Sequence, residues 1–198
     1  LGFSIGFNMV LVPASVSTLG KASPEGVDMT VTEESDDTLF RRCVVNNTVY
    51  DYISRCNADD LGILPPPADL RLWILNSMET GSAVMIHHGA VLQNDLMKSF
   101  LGNYARILEY FLPDITIGTK GQSTYKEIYS ATAHELAHAS HFAQVGTEYW
   151  DKYIRYVVES YVTAGGEFYG DGSAAGSGYC EVSEMWAYYL QSKLYKQR

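Results

Sequence analysis

Positive charge is scarce in this chain: 14 lysines and arginines face 23 aspartates and glutamates, a formal net charge of −9 over 198 residues. The basic residues form no cluster, so the electrostatic footprint that phosphate binding demands is missing, and nucleic-acid partners are excluded. Cysteine is nearly absent too. Cys43, Cys56 and Cys180 have no zinc-site spacing; either Cys43 pairs with Cys56 and leaves Cys180 free, or all three are reduced core residues. There is no internal repeat and no long, unbroken apolar run. Residues 1–20 carry no charge, but Asn8, Pro13 and several glycines and hydroxyl residues interrupt them, and no basic segment precedes them. They read as extended structure and a turn, and no transmembrane segment is expected in this chain.

What the chain does have is enough apolar material, 46% of residues, to bury a sizeable core. Residues 25–37 hold Glu25, Asp28, Glu33, Glu34, Asp36 and Asp37 with no base between them, which marks a solvated linker. The expected organisation is therefore an N-terminal extended segment and acidic linker over residues 1–37, followed by one domain over residues 38–198. Within that domain, residues 38–55 predict a helix, and Pro65, Pro66 and Pro67 a rigid connector. Residues 70–76 and 82–87 predict strands, with a possible hairpin at residues 78–81. A helix over residues 96–111 ends before Pro113, and residues 113–118 are short, β-branched and strand-like. This order predicts an α+β fold, a small mixed sheet packed on the helix described next.

That helix is expected over residues 124–145, where Ile128, Ala131, Leu136, Ala139, Phe142 and Val145 recur at near-helical spacing. Ser123 or Thr124 is its N-cap, Glu127 completes a capping box, and Gly146 stops it. It contains His134-Glu135-Leu136-Ala137-His138, an HExxH pattern. Two histidines four apart share a helix face and can reach one metal ion, while the glutamate beside the first can activate a metal-bound water. With five histidines in the chain, a chance match is on the order of 1%. The competing reading is an amphipathic helix with histidines on its polar face.

Around these residues the chain resembles the zincin metallopeptidases. The resemblance implies a zincin-like fold, Zn2+ as cofactor, His134 and His138 as ligands, Glu135 as general base, and hydrolysis of a peptide or protein substrate. A metzincin needs a glycine and a third histidine after the motif, whereas here Ala139-Ser140-His141-Phe142-Ala143-Gln144 follows. The gluzincin branch takes its third ligand from a later glutamate. Glu159, Glu167, Asp171, Glu181 and Glu184 are the acids available. Ser183-Glu184-Met185-Trp186-Ala187 is similar to the gluzincin ligand helix, which favours Glu184 on a C-terminal helix over residues 181–190 and leaves Glu181 and Glu159 as alternatives. His141 lies about 10 Å along the helix axis from His134. It is a hydrogen-bonding or surface residue, or else a fourth ligand that closes the site. His87 and His88 are strand-end residues or substrate contacts.

The resemblance further implies a donor for a tetrahedral oxyanion, and among 15 tyrosines the sequence does not choose between Tyr169, Tyr179 and Tyr188. It also implies an edge strand that receives an extended substrate; residues 113–118 are either that strand or an ordinary member of the sheet. The resemblance is closest to exported bacterial zinc metallopeptidases, often lipid-anchored, and implies an extracytoplasmic setting. Two other functions compete with the peptidase. One is a catalytically inactive zincin-like binding scaffold, against which the intact Glu135 counts. The other is a structural zinc domain, which requires His141 or another protein ligand in the open coordination position. Nothing in the sequence indicates an oligomeric state.

Overall fold

A computed structural model describes residues 3–7, 30–58, 61–88, 113–163 and 169–196. They form a small α+β fold with a four-stranded mixed sheet and three helices: β1 (Phe3–Phe7), α1 (Asp37–Asn57), β2 (Leu70–Leu75), β3 (Ser82–Ala83), β4 (Ile115–Gly118), α2 (Tyr125–Thr163) and α3 (Ser177–Lys196). Residues 8–29, the helix expected at 96–111 and Glu167 lie outside the described residues. No described helix is long and apolar enough to cross a membrane.

The sheet runs in the order β1-β2-β4-β3. Leu72 and Ile74 of β2 pair in parallel with Ile115 and Ile117 of β4, and all four side chains are fully buried. Parallel strands need both faces covered, and β-branched and leucine residues supply that apolar surface. β1 pairs in parallel with the other edge of β2, Phe3 opposite Leu70 and Phe7 opposite Ile74, so the N-terminal segment contributes a strand to the sheet.

The hairpin expected between residues 70–76 and 82–87 does not form. β3 has only two residues and pairs antiparallel with β4, Ser82 opposite Thr116 and Ala83 opposite Ile115. Two local causes are visible. Met85 adopts φ 55°, which ends the extended run. Before β3, the chain crosses over β4 instead of turning back on β2: Thr119 N–H donates to Leu75 O and Lys120 N–H to Met78 O. Gly118 permits that crossing, because a Cβ there would collide with the backbone of Thr80. The same topology corrects the placement of the cleft strand. Residues 115–118 lie inside the sheet, whose edges among the described residues are β1 and β3, with β3 the one beside β4.

α1 begins where Asp36 accepts a hydrogen bond from Leu39 N–H at 2.9 Å, an N-cap beside the acid Asp37. Its Val45, Val49 and Tyr52 are fully buried, and the Tyr52 hydroxyl meets Ser140 Oγ at 3.0 Å on α2. Arg41 is 8% exposed and donates from Nη1 to Thr119 O (2.9 Å) and Gln122 O (2.5 Å), tying α1 to the loop that launches α2. All three cysteines are free. Cys43 and Cys56 are thirteen residues apart on one helix, about 20 Å along its axis, so the pairing alternative fails on reach.

Candidate metal centre

The histidine-bearing helix starts with a capping box: Thr124 N–H donates to Glu127 Oε2 (3.0 Å) and Glu127 N–H to Thr124 Oγ1 (3.3 Å). Ala133, Ala137 and Ala139 are fully buried, and their small side chains let the helix lie close against its neighbours. At Gly146 the backbone takes φ 78° and ψ 176°, which ends the first half of α2 as its sequence position predicts and redirects the chain into a second helical half. α3 then packs extensively against α2. It starts four residues earlier than expected, at Ser177, and buries Ser183, Ala187, Leu190 and Leu194.

Three side chains meet where α2 and α3 touch. The ligating atoms of His134, His138 and Glu184 lie within 4.8 Å of one another. His134 Nε2 stands 3.2 Å from His138 Nε2. Glu184 Oε2 is 3.4 Å from His134 Nε2, and Oε1 is 3.4 Å from His138 Nε2. A tetrahedral zinc ion with bonds of about 2.0–2.1 Å separates its ligand atoms by about 3.3 Å; the two ring nitrogens stand close to that spacing, and each carboxylate oxygen stands close to it from one of the two rings. Glu184 Oε1 is buried and faces the His138 ring nitrogen.

The other acids do not join them. Glu159 and Glu181 are exposed, and Asp171 is exposed and accepts from Ser173. Burial pushes the Glu184 carboxyl upward, but hydrogen bonds and charge from His134 and His138 outweigh it and hold the group at about 2. Burial also lowers His138.

Each histidine is oriented from its far side by α3. His134 Nδ1 is 3.1 Å from Gln191 Oε1, and His138 Nδ1 is 3.0 Å from Ser183 Oγ. With Nε2 of each ring given to a metal at the shared centre, Nδ1–H would donate to Gln191 and Ser183, which would fix both tautomers. Ser183 Oγ also lies 3.3 Å from His141 Nδ1, within hydrogen-bond reach of that ring. His141 is therefore a hydrogen-bonding residue one step removed from the centre, packed against Tyr149, Trp150 and Trp186. Burial and the charge of His138 lower it to about 4. Ser183 and Gln191 escaped the sequence reading. Their signal was positional: one precedes Glu184 and the other follows it by two helical turns.

Glu135 is 7% exposed, and its Oε2 accepts no hydrogen bond among the described residues. Burial, opposed by His134 and reinforced by Glu184, raises its carboxyl to about 8. It borders a cavity of about 600 Å3 together with His134, His138 and Glu184. Of the three tyrosines weighed from the sequence, Tyr169 lines this cavity, Tyr188 sets its ring 4.8 Å from that of His134, and Tyr179 packs against Tyr149 instead. Tyr153, which the sequence reading passed over, also lines the cavity and stacks on His138 with 6.4 Å between ring centroids. His88 is occupied elsewhere, 3.0 Å from Asp114 Oδ1 through Nδ1 and 2.9 Å from Ala68 O through Nε2. No protein-family model matches this chain, and neither the curated proteins nor the solved structures contain a match to it.

Proposed function

We propose that this chain is a zinc-dependent metallopeptidase of the gluzincin type, with a zincin-like fold, in which His134, His138 and Glu184 hold the metal and Glu135 is the general base. The observation that carries the reading is the convergence of the two HExxH histidines with one carboxylate from a separate helix, in a triangle of ligating atoms within 4.8 Å of one another. Glu135 stands in the same cavity but outside that triangle, so the motif divides into binding and chemistry as a metallopeptidase requires.

Zinc, when bound, supplies a Lewis acid that polarises a carbonyl and brings the pKa of water toward neutrality. The chain's own groups do the rest. Glu135 takes a proton from the attacking water and returns it to the leaving amine. Its buried, unpartnered Oε2 is the atom available for that proton. Tyr153 and Tyr169 border the cavity, and burial raises both phenols above their ordinary value, so they stay protonated and can donate to an oxyanion. His141 is turned to Ser183 rather than to the centre, which favours an open coordination position over a closed, structural site.

Elemental analysis and hydrolysis of a mixed peptide library, for the wild type and Glu135→Gln, test the proposal. The expected result is one zinc per chain in both proteins, with hydrolysis by the wild type and none by the variant. Zinc without hydrolysis in the wild type would turn the reading toward a binding scaffold, and absence of zinc would refute it.

A further inference from the structure

The cavity around Glu135 reaches beyond the metal centre, between two walls that supply none of the proposed ligands. One wall is the segment from Met78 through β3 to Val84. The other is the second half of α2, where Tyr153, Ile154 and Val157 follow the break at Gly146. Ile154 and Val157 stand at i and i+3, so one stripe of that half-helix faces the space. Ile154 is almost fully buried, while Val84 and Val157 are half-buried and Met78 is exposed at the rim. Among the described residues that line the cavity there is no lysine or arginine, and its carboxylates and imidazoles are Glu135 and the three groups of the centre.

We propose that Met78, Ala83, Val84, Ile154 and Val157 form a specificity pocket that seats a large apolar side chain, aliphatic or aromatic, of a peptide next to the bond being cut. The inference rests on the peptidase reading and adds to it the class of residue selected. A volume of about 600 Å3 accommodates such a side chain together with the reacting peptide unit. An apolar group displaces water from these walls, which is favourable without any directed contact. An acidic side chain enters a space that already holds Glu135 and Glu184, and the apolar walls away from the metal centre offer it no lysine or arginine. A basic side chain must shed its hydration while Glu184 is engaged by His134 and His138. Discrimination by such a pocket is on the order of 10- to 200-fold.

The test uses zinc-loaded wild type and end-blocked peptides that differ only in the residues flanking one cleavable bond. kcat/KM is measured for each, and the same peptides are titrated calorimetrically into zinc-loaded Glu135→Gln. Leucine, methionine or phenylalanine is expected to exceed aspartate and glutamate by at least about 10-fold at one flanking position. Val157→Lys is expected to reverse that order with zinc content unchanged. If it does not fold, Val84→Lys on the opposite wall makes the same test.

Hydrolysis with no residue preference, or with a preference for charged residues, overturns the pocket and leaves the peptidase standing. Selective binding of apolar peptides without hydrolysis by the wild type keeps the pocket and refutes the peptidase. Neither binding nor hydrolysis refutes both.

Discussion

Replacing Gly81 with alanine probes the placement of the general base without touching any proposed ligand. A Cβ at this position meets Thr116 O at 2.5 Å, Glu135 Oε1 at 2.7 Å and Glu135 Cδ at 3.0 Å. Thr116 O belongs to β4, which is held between β2 and β3 and has little freedom to retreat. Ordinary contact begins at 3.4 Å, so the segment ahead of β3 must back away from Thr116 O by about 0.9 Å, and the Glu135 carboxylate, the softer of the two neighbours, is pushed out of position with it. Overpacking of this kind destabilises by about 1–3 kcal/mol. A displacement of about 1 Å in a reacting group lowers the rate by about 100-fold. His134, His138 and Glu184 sit on α2 and α3, away from the new methyl group, so zinc content should not change. The assay compares kcat, zinc per chain and the urea midpoint of Gly81→Ala with those of Gly178→Ala, where an added Cβ meets nothing within 4 Å. The reasoning is refuted if Gly81→Ala turns over at the wild-type rate, or if it loses its zinc.

Two further outcomes follow from the surroundings of the centre. Ser183→Ala removes the acceptor of His138 Nδ1–H and should weaken zinc binding by about 10–100-fold, measured by competition with a chromogenic chelator; unchanged affinity would remove Ser183 from the site. His88 is raised above its ordinary 6.5, chiefly by its hydrogen bond to Asp114, with burial opposing. A raised value means that protonated His88 stabilises the fold fully below pH 6.5, and that this contribution is lost as pH rises through the folded-state value. The urea midpoint should accordingly fall as pH rises above 6.5, and His88→Gln should flatten that part of the profile; an unaltered profile in the variant would contradict the assignment.

The legible parts of this chain were those governed by local chemistry. The helix from Tyr125 announces itself by Thr124 and Glu127 at its start, by apolar periodicity through its body and by Gly146 at its break. Ile115–Gly118 is strand-like in composition and is a strand. Glu184 was singled out from a family pattern, and its carboxylate does meet the two histidines. What escaped depended on distant pairing. Neighbouring strand segments invite a hairpin, but Gly118 lets Thr80 cross over β4, and no local signal at Ser82 foretells pairing with Thr116. Strand order then decided which strand became the edge. Ser183 and Gln191 look like unremarkable polar helix residues until α3 is docked on α2, because a serine or glutamine acquires its role only from the ring nitrogen it meets.

α3 holds Glu184, Ser183 and Gln191 together on one helix. Loosening this single helix would withdraw the proposed third ligand and the partners of both rings in one event, leaving only the two histidines on α2. The proposed zinc site would therefore link metal loading thermodynamically to closure of the C-terminal segment: metal affinity would include the free energy of seating α3, and a chelator should raise hydrogen exchange in Ser177–Lys196 before it reaches the sheet.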